Sequence, residues 1–353
     1  IGELIPPGAR FPLEMAHDAD VGSNSLLSYQ LDSNPSFSLS LKESPDGSKQ
    51  PELVLERVLD REKQSSFELV LTAVDGGEPA RSGIVQIGVN VTDANDNPPV
   101  FSKSFYEARV PENLPVGSLV LRVQATDADA GINGRVTYSL SNVPGAISEL
   151  FVVDSESGEV RTSDALDFEE KSKYSFGLEA RDGGGLVSHC KVQIEITDEN
   201  DNAPKITILS LSSPVPEDAP VGTVVAVLNV KDPDSGENGQ LNYQLTSHPS
   251  FTLVLTENPD GTKQPVLVLD QALDREKQSS FELELTAVDG GDPARSGTVQ
   301  VRVNVTDAND NPPMFSKKVY EARVAENLPA GSLVLEVRAT DADTGSNGHI
   351  TYA

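Results

Sequence analysis

The pentapeptide Asp-x-Asn-Asp-Asn occurs three times, at residues 93–97, 198–202 and 307–311, at intervals of 105 and 109 residues. Proline follows each copy within two residues, as Pro98, Pro204 and Pro312. Two carboxylates and two carboxamides in five positions suit the oxygen shell of a hard cation and not an apolar core. Recurrence at domain-sized spacing places these acids at domain junctions. It divides the 353 residues into three full-sized units and a remnant.

Other landmarks keep the same order. Glu3, Glu112, Glu217 and Glu326 each stand five residues before a glycine. Asp-x-Asp pairs follow at Asp18/Asp20, Asp127/Asp129, Asp232/Asp234 and Asp341/Asp343. Leu-Asp-x-Glu supplies Asp60/Glu62, Asp167/Glu169 and Asp274/Glu276, and Ala-x-Asp-Gly supplies Asp75, Asp182 and Asp289. Each unit closes on Asp-x-Asn-Asp-Asn. Such self-similarity marks a tandem array.

Between landmarks the pattern has period two. Phe67, Leu69, Leu71 and Ala73 alternate with Glu68, Val70 and Thr72, and Val85, Ile87, Val89 and Val91 alternate with Gln86, Gly88, Asn90 and Thr92. One buried face and one solvated face are predicted for each strand. Turns are predicted at Pro45-Asp46-Gly47, at residues 75–79, at Asn133-Gly134, at Ser157-Gly158 and at Asn258-Pro259-Asp260-Gly261. No helical period is sustained. The fold class is all-β, with about seven short strands per Greek-key sandwich. The repeats are placed at 1–98 (first strand truncated), 99–205 and 206–312, with a truncated start of another at 313–353. That last piece has too little apolar surface to fold alone.

A second periodicity overlies the first. Residues 35–129 nearly return at 249–343, an offset of 214, and the decapeptide 60–69 returns intact at 274–283. The middle unit differs. Copying of a two-repeat block accounts for this, and so does recombination or misassembly of the gene.

Acids outnumber bases 55 to 27, for a formal charge of −28. Phosphate backbones would be repelled, which excludes nucleic acid as a partner. Eight carboxylates converging at one junction would repel one another, by about 0.8 kcal/mol per pair ~5 Å apart even in water. Calcium relieves this and accepts six to eight oxygens in forgiving geometry, where magnesium demands a tight octahedron. Zinc is disfavoured, because His17, His189, His248 and His349 are scattered and Cys190 is the single cysteine. That cysteine excludes a disulfide within the chain and reads as a half-buried strand residue. A glycosidase with paired carboxylates is the enzymatic alternative. It is set aside: the acids lie at domain ends, tryptophan is absent, aromatics are 5%, and no nucleophile or phosphate motif appears.

The ordered motifs resemble the cadherin repeat over the whole chain. Within that superfamily, residues 10–14 resemble the second ectodomain repeat of clustered protocadherins. Residues 166–170, 182–185 and 190–192 resemble the third, and residues 212–239 the start of the fourth. The resemblance implies calcium-rigidified sandwiches in a linear rod, with three calcium ions per junction. At the first junction it carries over Glu3, Asp60, Glu62, Asp93, Asn95, Asp96, Asn97, Asp127, Asp129, Asn133 and Asp182. Asn95 would use its side chain, Asn97 and Asn133 their backbone carbonyls. The second takes Glu112, Asp167, Glu169, Asp198, Asn200, Asp201, Asn202, Asp232, Asp234, Asn238 and Asp289. The third takes Glu217, Asp274, Glu276, Asp307, Asn309, Asp310, Asn311, Asp341, Asp343 and Asn347. Asp18, Asp20, Asn24 and Asp75 look like half of one further junction.

The chain departs from the family pattern at Phe168, which replaces the arginine of Leu-Asp-Arg-Glu. It departs also at Pro216-Glu217-Asp218 and Ala325-Glu326-Asn327, which keep the glutamate. After Gly239 the fourth-repeat resemblance gives way to second-repeat sequence. The function implied is calcium-dependent homophilic cell–cell adhesion at the extracellular side of the plasma membrane. The partner is the same protein on an apposed cell, with related protocadherins as cis partners. The alternative is a calcium-stiffened spacer without recognition of its own. No apolar run approaches the ~20 residues of a membrane helix, and residues 1–3 do not open a signal peptide. Membrane attachment and targeting are therefore expected from segments outside this chain. The sequons at Asn90 and Asn304 fit a secreted glycoprotein, with both side chains on the outward strand face.

Overall fold

The computed structural model describes every residue except Asp46, Asn142 and Asp260. The turns expected at Asp46 and Asp260 therefore lie outside the described residues. The chain packs as two compact units, Ile1–Thr197 and Asp198–Ala353.

The first unit contains two sandwiches. In the first, Ser28–Leu31, Ser66–Val74 and Ser82–Asn90 form one sheet, and Arg10–Pro12, Lys49–Leu55 and Phe37–Glu43 form the other. The alternation read from sequence sets the register: Phe67 pairs with Val89 and Leu69 with Ile87. Phe67, Leu69 and Val89 join Phe37, Leu53 and Leu55 in one core between the sheets.

The second sandwich sets Thr137–Ser141, Lys173–Arg181, Val187–Thr197 and Phe105–Pro111 against Phe151–Val153, Glu159–Thr162 and Leu119–Arg122. Phe105–Pro111 joins Val187–Thr197 in parallel, over seven aligned pairs from Lys191 with Phe105 to Thr197 with Pro111. Phe151 lies wholly inside, its ring centroid 5.4 Å from Tyr174 and 5.6 Å from Phe176. A six-residue helix, Gly145–Leu150, buries Ile147 beside this core. It is under two turns long, too short to leave a period in the sequence.

The second unit repeats the plan. Lys205–Leu211, Val224–Lys231, Lys263–Leu269 and Phe251–Glu257 face Val215–Pro216, Ser296–Thr306, Ser280–Val288 and Asn242–Leu245. Its Phe251–Leu269 pairing reproduces Phe37–Leu55 at the offset of 214. Beyond it, Met314–Phe315 pairs with Ala339–Thr340, and Ala339 is buried there.

Two expectations need correction. The alternation assigns Val85 to the buried face, yet it is 54% exposed. The corresponding Val299 packs against its core together with Ile206 and Ile208 of Lys205–Leu211. Among the described residues the first sandwich has no counterpart of that strand to cover Val85. Cys190 is buried, not half-buried, in the second core. Burial pushes its thiol up to about 11. The neutral thiol's contribution to stability is present below the ordinary thiol pKa and fades as pH rises through about 11. A maleimide at pH 8 is expected to leave Cys190 unmodified in the folded chain and to label it fully in denaturant. Rapid labelling without denaturant, read by mass spectrometry, would contradict the burial.

Candidate metal centres

The three Asp-x-Asn-Asp-Asn segments follow the last long strand of each sandwich, so strand ends fix where their acids point. In the first unit, Glu3 is buried, and its two carboxylate oxygens accept from the Arg61 amide at 2.8 Å and the Ala94 amide at 2.5 Å. These bonds tie the Leu-Asp-Arg-Glu turn to the start of residues 93–97. Carboxylate oxygens of Glu3, Glu62 and Asp93 lie within 4.8 Å of one another, as do those of Glu62, Asp96 and Asp129.

Carboxamides orient these acids. Asn133 Nδ2 donates to Asp93 Oδ2 at 2.9 Å, and the Ala130 amide donates to Asp93 Oδ1 at 2.9 Å. Asn97 Nδ2 donates to Asp129 Oδ1 at 2.8 Å and to Asp96 Oδ1 at 2.7 Å. The Nδ2 groups of Asn97 and Asn133 are thus both engaged by carboxylates. Asn95 Nδ2 lies 3.4 Å from Asp182 Oδ1. Gly184 makes this approach possible: a Cβ there would stand 2.1 Å from Asn95 Cγ.

Burial works against the Asp93 carboxylate, but bonds from Asn133, the Ala130 amide and Arg61 outweigh it and hold its carboxyl below the usual range. Asp96 moves the other way, raised by burial and by the charges of Glu3, Asp129, Asp60 and Asp93. Asp127 is also raised, by burial first and then by Asp129, Asp182 and Asp93. Asp60 is turned outward, with Lys63 Nζ 2.7 Å from its Oδ2 and its carboxyl lowered by that bond.

For the second Asp-x-Asn-Asp-Asn, the two units are described separately. In the first unit, Glu112, Asp167 and Glu169 gather within 4.8 Å, and the Phe168 amide donates to Glu112 Oε2 at 2.7 Å. In the second unit, Asp198 accepts from the Ser235 amide at 3.0 Å and Asn238 Nδ2 at 2.7 Å. Asn202 Nδ2 donates to Asp234 Oδ1 at 2.7 Å and to Asp201 Oδ1 at 2.8 Å. Asn200 Nδ2 reaches Asp289 Oδ1 at 3.2 Å, and the Asp234 amide reaches Asp232 Oδ1 at 3.1 Å.

The third segment copies the first. Glu217 accepts from the Arg275 amide at 2.7 Å and the Ala308 amide at 2.6 Å. Glu217, Glu276 and Asp307 cluster within 4.8 Å. Asn347 and Asn311 hold Asp307 and Asp343 at 2.9 and 2.8 Å. Asp310 is raised by burial and by Glu217, Asp343 and Asp274, and the Asp343 amide donates to Asp341 Oδ1 at 3.0 Å. Asp274 is turned to Lys277 as Asp60 is to Lys63. Asn309 is exposed, and the sequence carries no fourth Ala-x-Asp-Gly for it to face.

The residues present fit a hard cation. Asp127 Oδ2 and Asp232 Oδ2 are buried without a hydrogen-bond partner, and so is Asn200 Oδ1. A buried carboxylate oxygen left unpaired is costly. These three oxygens lie among the carboxylates and carboxamides of the clusters; a fourth such atom among the described residues, Ser188 Oγ, lies on a strand away from them. Sequence reasoning overlooked Arg61 and Arg275, whose guanidinium groups enter the first and third clusters. The signal was the basic residue lying between two acids in Leu-Asp-Arg-Glu.

The family model described as cadherin domain matches residues 1–92, 106–197 and 212–306. Human protocadherin gamma-B2 is 46% identical over 353 residues, all of this chain, which spans 38% of that relative's length. The solved structure of protocadherin gamma B2 extracellular cadherin domains 1–5 is 45% identical and superimposes with a TM-score of 0.89, covering 99% of this chain and 65% of that one. A cis-dimer structure of protocadherin gammaB7 domains EC3–6 is 44% identical with a TM-score of 0.64, covering 71% of this chain and 58% of that one. Three family matches in tandem, each ending beside an Asp-x-Asn-Asp-Asn segment, and near-complete superposition on a protocadherin ectodomain agree with the sandwiches and clusters described above. The chain belongs to the cadherin family, in its clustered protocadherin branch.

Proposed function

We propose that the carboxylate clusters hold calcium, and that the chain is part of a calcium-stiffened ectodomain that recognises a second copy of the same protein on an apposed cell. The observation that carries this reading is the pair of buried, unpartnered carboxylate oxygens on Asp127 and Asp232, each among further carboxylates. In this reading the repeats are 1–98, 99–205 and 206–312, with a further start at 313–353. The ligands are the three sets named from the sequence. When bound, calcium supplies positive charge that neutralises the gathered carboxylates. The chain's own part is to hold those carboxylates in place through Asn97, Asn133, Asn202, Asn238, Asn311 and Asn347, and to present the sandwich faces for recognition.

The same reading places the protein on the extracellular side of the plasma membrane, attached by segments outside this chain. Asn90 and Asn304 are both exposed on strands and stand as glycan acceptors. The gammaB7 cis-dimer supports related protocadherins as cis partners. The trans partner is tested by bead aggregation with a complete ectodomain.

Small-angle X-ray scattering in millimolar calcium and then in EGTA tests the clamp. The expected result is an elongated, stiff particle that becomes flexible on chelation while its β circular dichroism is retained. Asp96→Ala is expected to loosen the first junction even in calcium, again with the sandwiches folded. Scattering indifferent to calcium would remove the basis for the metal reading. Loss of β signal in Asp96→Ala would contradict the separation of junction from core.

A further inference from the structure

Two of the three Leu-Asp-x-Glu turns carry a cation of their own. Arg61 Nε donates to Asp93 Oδ1, and its Nη2 donates to Glu62 Oε1 and to the Ala128 carbonyl at 2.8 Å. Arg275 repeats this arrangement. Its Nε lies 2.5 Å from Asp307 Oδ1, and its Nη2 donates to Glu276 Oε1 and to the Ala342 carbonyl at 3.2 Å. Both side chains are largely buried, 18% and 14% exposed. Each guanidinium therefore joins three pieces of chain: its own turn, the Asp-x-Asn-Asp-Asn segment, and the Asp-x-Asp loop of the following repeat. The planar fork of arginine suits this multidentate role, and its charge cannot be titrated away.

The middle repeat has Phe168 at this position. The Phe168 amide keeps the bond to the repeat's glutamate at 2.7 Å, so the backbone of the turn is unchanged. Its ring packs against the apolar core instead of entering the carboxylates. The ligand positions Asp167 and Glu169 remain, but this turn carries no arginine.

We propose that Arg61 and Arg275 are built-in counter-cations that keep the first and third carboxylate clusters gathered independently of any metal. Their guanidinium groups share oxygens of Asp93, Glu62, Asp307 and Glu276 with the cation site. Arginine therefore supports these junctions at low calcium and lowers their affinity for calcium. The second half of this inference rests on the calcium reading. The first half does not.

The test is hydrogen exchange of the whole chain, read by mass spectrometry in EGTA and in millimolar calcium, for wild type, Arg61→Phe and Arg61→Lys. The reporters are the Ala130 and Asn97 amides, which donate to Asp93 and Asp129. In EGTA, Arg61→Phe is expected to speed exchange at residues 93–98 and 127–133 by about tenfold, the loss of one or more charge-assisted bonds. Exchange in the strand Lys173–Arg181 is expected to stay unchanged. Arg61→Lys keeps the charge but not the fork and is expected to fall between. Calcium calorimetry is expected to show tighter uptake at the first junction in Arg61→Phe. Equal exchange of wild type and Arg61→Phe in EGTA overturns the proposal, and so does faster exchange that extends into Lys173–Arg181. Wild type that takes up no calcium overturns the calcium reading alone, because the EGTA comparison contains no metal.

Discussion

Glu217→Ala is expected to destabilise the Asp198–Ala353 unit by about 2–6 kcal/mol, the cost of stranding two buried amides at roughly 1–3 kcal/mol each. Glu217 is 3% exposed and accepts from Arg275 and Ala308, so the methyl side chain leaves both donors without a partner. Glu217→Gln retains one carbonyl oxygen and is expected to lose about half as much. Urea denaturation in EGTA measures this cost free of metal. Repeating it in calcium adds the second effect: a cation present at a hundred times its dissociation constant stabilises the folded chain by about 2.7 kcal/mol. Glu217→Ala is expected to lose much of that increment at the third cluster. An unchanged denaturation midpoint in both media would show that Glu217 neither holds the turn nor serves the site.

Phe151→Ala is expected to cost about 3–5 kcal/mol by a different route. The ring is completely buried and stacks near Tyr174 and Phe176, so truncation leaves a cavity in a core that is already closed on every side. No carboxylate of the clusters is touched. The stabilisation by calcium in this variant should therefore match that of the wild type, measured as the shift in melting temperature between EGTA and calcium. Loss of the calcium increment in Phe151→Ala would mean that core packing and cluster geometry are one cooperative unit.

Strand positions were legible because the pleat alone imposes period two: Phe67, Leu69 and Leu71 face inward whatever the sandwich around them. The ordered acids were legible because each repeat restates them. What could not be read is what depends on contacts distant in sequence. The parallel seating of Phe105–Pro111 on Val187–Thr197 joins segments about 86 residues apart, and neither carries a mark of the other. Val85 has the same alternation as Val299 but, among the described residues, no covering strand, and alternation says which face a residue takes, not whether that face is covered. The role of Arg61 is hidden in the sequence for a related reason. As a single residue it cannot ligate a cation, and its role appears only when Asp93 and Ala128 are seen beside it.

The duplicated sandwiches also bear on how the chain reaches its native state. The Phe37–Glu43 and Lys49–Leu55 hairpin has the register of the Phe251–Glu257 and Lys263–Leu269 hairpin, with the same inward residues at most positions. The two hairpins are thus alike in sequence and register, and strand exchange between near-identical domains is a characteristic misfolding route of tandem proteins. The dissimilar middle sandwich separates the two copies along the chain. During vectorial synthesis it lets the first copy close before the second emerges from the ribosome. Dilution from denaturant removes that order and presents both copies to each other at once.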